Sequence, residues 1–168
     1  MHWISIDTAM QVTGLAQRSI WRRVEKAPEW KRNRGGALKR AQVAAEAMID
    51  DLLFPQPVTR DDLQVLMAAD PGNPEAMNDI ALLLMEMEQF DLAVKWLERA
   101  ANAGHADAMH WMGRCLVAGH GVDIDTEQGL EWIRRSATAG HVISRAMIWQ
   151  INPPDSSSPP PDTTLPIP

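Results

Sequence analysis

The chain has 168 residues, a formal net charge of −6 and an apolar share of 45%. That share suits a globular core. The one cysteine, Cys115, excludes an internal disulfide framework and fits a reducing compartment. No stretch approaches the roughly 18 apolar residues that a membrane helix needs. The opening residues, Met1 to Asp7, have neither a basic start nor a long apolar run, so no signal peptide is expected. The expectation is a soluble, cytoplasmic protein without a membrane partner. The charge is unevenly spread. Residues 1–40 carry nine Lys or Arg against three acids, a net of +6; the remainder carries seven against nineteen, a net of −12. A basic head favours a polyanion and an acidic body repels one, so two parts with different partners are expected.

In chain order, Ile4-Ser5-Ile6 reads as a lead-in to a first helix that Asp7 or Thr8 would cap, with Ala9 and Val12 facing inward and a turn at Gly14. A second helix, Ala16 to Lys26, buries Ile20 and Val24; Arg18, Arg22 and Lys26 share the opposite face at four-residue spacing. Arg32-Asn33-Arg34-Gly35-Gly36-Ala37-Leu38-Lys39-Arg40 reads as two short strands with a Gly-Gly tip, and Ala41–Leu53 as a closing helix. Phe54-Pro55-Gln56-Pro57 is a stiff hinge, because proline restricts itself and its predecessor.

Beyond the hinge, Thr59-Arg60-Asp61-Asp62 caps a helix through Ala69. Asn73-Pro74-Glu75 opens another, with proline in the first turn and apolar residues at three- and four-residue steps through Met87. Its partner runs from Asp91 to about Asn102 and stops at Gly104. The next pair spans about Asp107–Ala118 and Thr126–Thr138, with Asp125 as cap, Gln128 reaching back and Gly140 as stop. A last amphipathic helix, about Val142–Ile151, covers the open end. Residues 152–168 hold seven prolines and three consecutive serines and are expected to be extended or disordered. Pro159-Pro160-Pro161 reads either as a polyproline docking segment or as part of a solubilising tail.

Trp96–His105 set over Trp132–His141 is identical at six of ten positions, at an offset of 36 residues. A period of that size marks stacked helix pairs. The second unit resembles a Sel-one-like repeat, a relative of the tetratricopeptide repeat, in Ala108, Met112-Gly113, Gly119, Gly121-Val122, Asp125, Trp132, Ser136-Ala137 and Gly140-His141. It departs at Leu116, where an aromatic is usual. The first unit lacks the Gly-x-Gly loop and looks more like a plain tetratricopeptide unit. The resemblance gives Trp96, Gly104, Gly113, Gly119, Gly121, Asp125, Trp132 and Gly140 structural roles: Gly113 at a close helix approach, Gly119 and Gly121 in a widened turn, Asp125 as a cap. It implies an α-solenoid that takes a partner protein in its concave face.

The first fifty residues resemble the winged helix-turn-helix of excisionases and MerR-type regulators. That likeness implies that Arg18, Ser19, Arg22 and Lys26 meet base edges or phosphates in the major groove of double-stranded DNA, and that Arg32, Arg34 and Lys39 on the wing meet phosphates. Two features depart from the pattern: Arg23 stands where an aromatic is usual, and Trp30 has no counterpart. The expected fold is mostly α, with head 1–53, repeats 58–151 and tail 152–168.

Catalytic chemistry is not expected. His105 and His141 are repeat equivalents after closing glycines. His110 and His120 lack a partner at metal-ligand spacing. Asp123-Ile124-Asp125 has no remaining calcium loop. Cys115 has no His-plus-acid constellation, and no phosphate-cradling loop appears. Neither cofactor nor metal is expected. Met85, Trp96, Met109, Met112 and Trp132 read as core. Two functions stand open. In one, the head binds DNA and the array recruits a protein. In the other, the whole chain is a protein adaptor or chaperone, for example for a secretion-system effector, and the head is a docking domain. One short recognition helix reads few base pairs, which favours a homodimer.

Overall fold

A computed structural model of the chain describes residues 1–33 and 41–152. The head starts with strand β1 (Trp3–Ser5), which runs directly into helix α1 (Ile6–Thr13). Ser5 is the cap, its Oγ accepting from the Thr8 backbone N–H at 3.1 Å, in place of Asp7 or Thr8. Gly14 turns the chain at φ 67° into α2 (Gln17–Val24), which ends two residues short of Lys26. A 3-10 turn at Pro28–Trp30 leads to β2 (Lys31–Asn33).

The expected closing helix at Ala41–Leu53 is replaced by strand β3 (Ala41–Ala44) and a kinked 3-10 segment (Ala45–Asp51). Strand β3 is central in an antiparallel sheet of order β1-β3-β2, with Ile4 opposite Val43 and Arg32 opposite Gln42. Pairing on both sides satisfies its backbone and buries Gln42, Val43 and Ala44, which overrides the helix preference of an alanine-rich segment. Together with β1, this gives the head a strand more than the expected two-stranded wing. The Gly-Gly tip, with Arg34 and Lys39, lies outside the described residues, as does the Pro-rich run after Asn152.

The body stacks helices in chain order. Helix α3 (Arg60–Ala69) opens on a reciprocal cap in which Thr59 Oγ1 takes the Asp62 N–H and Asp62 Oδ2 takes the Thr59 N–H. The two helix pairs are α4 (Pro74–Glu86) with α5 (Phe90–Asn102), and α6 (Ala106–Ala118) with α7 (Thr126–Thr138); α8 (Val142–Ile151) follows. Proline at the first helical position and the Asn73 side chain start α4. Asp125 Oδ1 accepts from the Gln128 N–H at 2.9 Å to start α7. In the second pair, Gly113 and Gly129 face each other: a Cβ at Gly113 would lie 2.6 Å from the Gly129 carbonyl oxygen. The equivalent positions of the first pair are Ala81 and Ala93, both fully buried. Small residues at both positions let the helix backbones touch.

In α8 the place of Gly113 is taken by Trp149, so no further helix can cross there at the same distance. Between α6 and α7, Gly119 and Gly121 turn at φ 74° and 70°; a Cβ at Gly121 would run into the Phe90 carbonyl.

Head and body share one contiguous core. Phe54, at the expected hinge, is 1% exposed, and the buried cluster runs from Ile4 through Phe54 and Leu66 to Leu116. The hinge is therefore an anchored joint.

Candidate binding surfaces

Two surfaces present chemistry. The first is the outer face of α2. Arg18 and Arg22 are exposed, with Gln17, Trp21 and Glu25 beside them in one shallow groove. Ser19 is half-buried, and Lys26 is exposed just past the helix end. The Lys31 ammonium lies 4.8 Å from the centre of the Trp21 ring. Arg23 is turned away from this face: it forks onto the Asp51 carboxylate, with Nη2 donating to Oδ1 at 2.8 Å, and so ties α2 to the 3-10 segment. Trp30 packs against the same core. Arg32 is engaged within the sheet. Its Nε and Nη2 donate to Gln42 Oε1 at 3.0 and 2.7 Å, and its guanidinium lies 4.8 Å from the Trp3 ring.

The second surface is the row of first helices, α4, α6 and α8, bound together by a repeating device. His105 and His141 are the N-caps of α6 and α8; their Nδ1 atoms accept from the backbone N–H of Ala108 and Ser144 at 3.3 and 3.2 Å. Their Nε2 atoms then reach back one unit, to Glu75 Oε2 and Asp107 Oδ1, each at 3.1 Å. Glu75 and Asp107 are themselves repeat equivalents, so each histidine caps its own helix and pins the previous first helix. Repetition in the sequence marks both histidines; the acids they meet lie 30 and 34 residues earlier and show only in three dimensions.

Beside this ladder sits a buried polar cluster. His110 Nδ1 bonds Ser144 Oγ at 2.8 Å, and Ser144 Oγ donates to Ser136 Oγ, which donates to the Ala106 carbonyl. Burial, then the nearby His141 and Arg114, push the His110 pKa down to about 4, against the pull of Asp107. The order Asp107–His141–Ser144 imitates a hydrolytic relay, with Ser144 Oγ 2.9 Å from His141 Nδ1. Ser144 is completely buried, however, so no substrate carbonyl can reach its oxygen. Cys115 is likewise buried, and burial pushes its thiol up, away from the nucleophilic form. Among the described residues no three His, Cys, Asp or Glu side chains are grouped to hold a metal, and no helix is long and apolar enough to cross a membrane.

The signature residues of the repeat fall at joints. Trp96 is fully buried in α5, and Gly104 and Gly140 follow the ends of α5 and α7 with positive φ. Trp132, expected in the core, is only half-buried in α7, with the Arg135 guanidinium 4.1 Å from its ring centre.

Residues 74–105 and 106–141 each match the family model described as "Sel1 repeat". The two matches coincide with the two helix pairs of the body. The first unit, which looks from its sequence like a plain tetratricopeptide unit, thus matches the Sel1 repeat model without the Gly-x-Gly loop. Among solved structures, the crystal structure of a Sel1 repeat protein from Oxalobacter formigenes is similar at 25% identity over 54% of this chain, with a TM-score of 0.49. The match covers 38% of that longer chain. Comparison with curated proteins yields no match. The matched boundary between the Sel1 units falls at His105, the residue that caps one unit and pins the other.

Proposed function

We propose that the chain is a non-enzymatic binding protein in which the Sel1 units take a partner protein on the face of α4, α6 and α8, and the basic head contacts double-stranded DNA through α2. Two stacked Sel1 repeats whose first-helix row is fixed by the His105 and His141 ladder carry the first half of this reading. Stacked helix pairs with a pinned geometry offer a preformed surface, which lowers the entropic cost of binding. For the head, the supporting observation is the exposure of Arg18 and Arg22 on one side of a short helix whose other side is buried through Ile20 and Val24. Duplex DNA carries dense negative charge, and an exposed arginine pair on a rigid helix suits it. Ser19, Lys26, Arg32, Arg34 and Lys39 complete the DNA surface in this reading. Division into head 1–53 and repeats 58–151, a cytoplasmic location and a homodimer with two heads on one duplex belong to the same proposal.

The engagement of Arg32 by Gln42 and Trp3 favours a second reading, in which the head docks onto protein and the chain is an adaptor or chaperone. Fluorescence anisotropy of labelled duplex pools at two salt concentrations separates the two. DNA binding that falls steeply with salt and disappears in an Arg18→Ala/Arg22→Ala variant supports the regulator. Absence of binding even at low salt makes the head a protein-docking module.

A further inference from the structure

We infer that acid releases α8 from the end of the array through the paired rings of His110 and His141, and so removes the last helix of the proposed docking face. The part that concerns docking rests on that reading; the release itself does not. The two rings meet with their centres 4.5 Å apart. Counting places their protons. Ser136 spends its hydroxyl proton on the Ala106 carbonyl, and Ser144 spends its own on Ser136. His110 Nδ1, 2.8 Å from Ser144 Oγ, is therefore the donor of that bond. His141 Nδ1 accepts the Ser144 N–H that opens α8, so its proton sits on Nε2, facing Asp107. The cap thus requires a neutral His141, and the burial of His110, 3% exposed, favours a neutral ring there too.

A proton added to either ring weakens the junction. On His141 it occupies Nδ1, ends the cap and sets a cation at the positive end of α8. On His110 it buries a charge, opposed by burial itself and by the nearby His141 and Arg114, and favoured by Asp107. Asp79 of α4 acts on Asp107, Arg145 of α8 is exposed, and α7 faces the cluster with the Ser136 hydroxyl. Once α8 is released, both rings take protons in water. The released state therefore binds the extra protons and gains as pH falls from 6.5 towards about 4. The helix that opens is α8, because Ser144 is the one residue it buries fully, and a terminal helix held by so little opens before the rest. The previous junction lacks the histidine pair: Asn78 stands in the place of His110, opposite His105, and the cap before that is Asn73, whose Oδ1 accepts from the Ala76 N–H at 3.0 Å. Acid acts first on the last junction.

The test is hydrogen exchange of the full chain, read by mass spectrometry from about pH 7 to about pH 4.5 and corrected for the intrinsic pH dependence of exchange. Protection of α8 is expected to fall about tenfold or more, while that of α4 and α5 changes less than about twofold. The double variant His110→Asn/His141→Asn carries the residues that the first unit uses at these places, and its α8 should keep its protection across the range. His105→Asn makes the same change at the previous cap and should leave the loss in α8 as it is. Protection of α8 that ignores pH in the unsubstituted chain overturns the proposal, whether or not the variants fold. Loss in α4 and α5 together with α8 overturns it too, because the whole fold would then be opening. A loss in the double variant equal to that of the unsubstituted chain, or disappearance of the loss in His105→Asn, takes the response away from the His110–His141 pair and overturns its role. Exchange is measured without a partner, so failure of the docking face leaves the release untouched, and a docking face carried by α4 and α6 survives a failed release.

Discussion

Asp70, at the end of α3, accepts the Ser5 hydroxyl at 2.6 Å, and so the last turn of a body helix closes on the first residue before α1 of the head. The same Oδ1 accepts the Ser5 backbone N–H at 3.1 Å and the Thr8 hydroxyl. A carboxylate at a helix N-terminus also meets the positive end of that helix dipole. Together with Phe54 in the shared core, this contact ties the head to the body. Replacing Asp70 with Ala strands two hydroxyls and a backbone donor, at a cost of about 2–3 kcal/mol. Head and body should still melt together, at a lower temperature, in a calorimetric scan. An unchanged midpoint would mean that the contact contributes nothing.

The two repeat tryptophans should behave differently. Trp96→Ala empties a fully buried site and is expected to cost about 3–5 kcal/mol. Trp132 is half-buried beneath Arg135, and its loss should cost about 1–2 kcal/mol, since less area leaves water. Urea unfolding of the two variants side by side measures the ranking; equal losses would refute it.

At the helix crossing, Gly113→Ala puts a methyl against the Gly129 carbonyl and the Ile133 side chain, and one of these is backbone. The pair must move apart, costing about 1–3 kcal/mol. At Gly104 a Cβ meets nothing within 4 Å, so Gly104→Ala carries only the strain of φ 95°, about 1 kcal/mol. A melt of Gly113→Ala no lower than that of Gly104→Ala would remove the close approach as the reason for glycine there.

Acid should destabilise the fold in a defined window. His110 titrates near 6.5 when unfolded and about 4 when folded. Its folded pKa is depressed, so the unfolded chain binds the extra proton. Stability is full above about pH 6.5 and falls as pH drops towards 4, by up to about 3 kcal/mol. Glu46 extends the loss. Burial opposes its ionisation, but the His2 N–H, its own backbone N–H and the His2 ring outweigh that and hold its pKa at about 2, so its contribution disappears below 4.5. His110→Asn, which copies Asn78 of the first unit, should flatten the slope between pH 6.5 and 4. A slope that survives in this variant would assign it to another group.

Most helices of the body can be read from the sequence because their signals are local. Asn73-Pro74, Thr59 with Asp62, and Asp125 cap helices through contacts three residues away, and the 36-residue repeat shows which helices pair. In the head, the fate of Ala41–Ala44 was not legible. An alanine-rich segment has no strong local preference for strand, and what makes it one is two neighbours distant in sequence, β1 and β2. By residue type Ser5, Asp7 and Thr8 are equally good caps for α1, and only the folded chain puts the Ser5 oxygen against the Thr8 N–H.

By itself, the sequence determined the helix pairs, their caps, the glycine positions that stop and cross them, and the split between a basic head and an acidic body. These depend on side-chain chemistry within one turn or on a repeat that can be counted. The tertiary structure decided the rest: that Arg23 pairs with Asp51 while Arg18 and Arg22 stay exposed, that Trp132 stays half-exposed, that His105 and His141 reach back to Glu75 and Asp107, and that Asp70 locks the head to the body. Apart from the exposure of Trp132, each is a contact between residues far apart in the chain. Such contacts are set by how close the packed backbones come, which no local preference encodes.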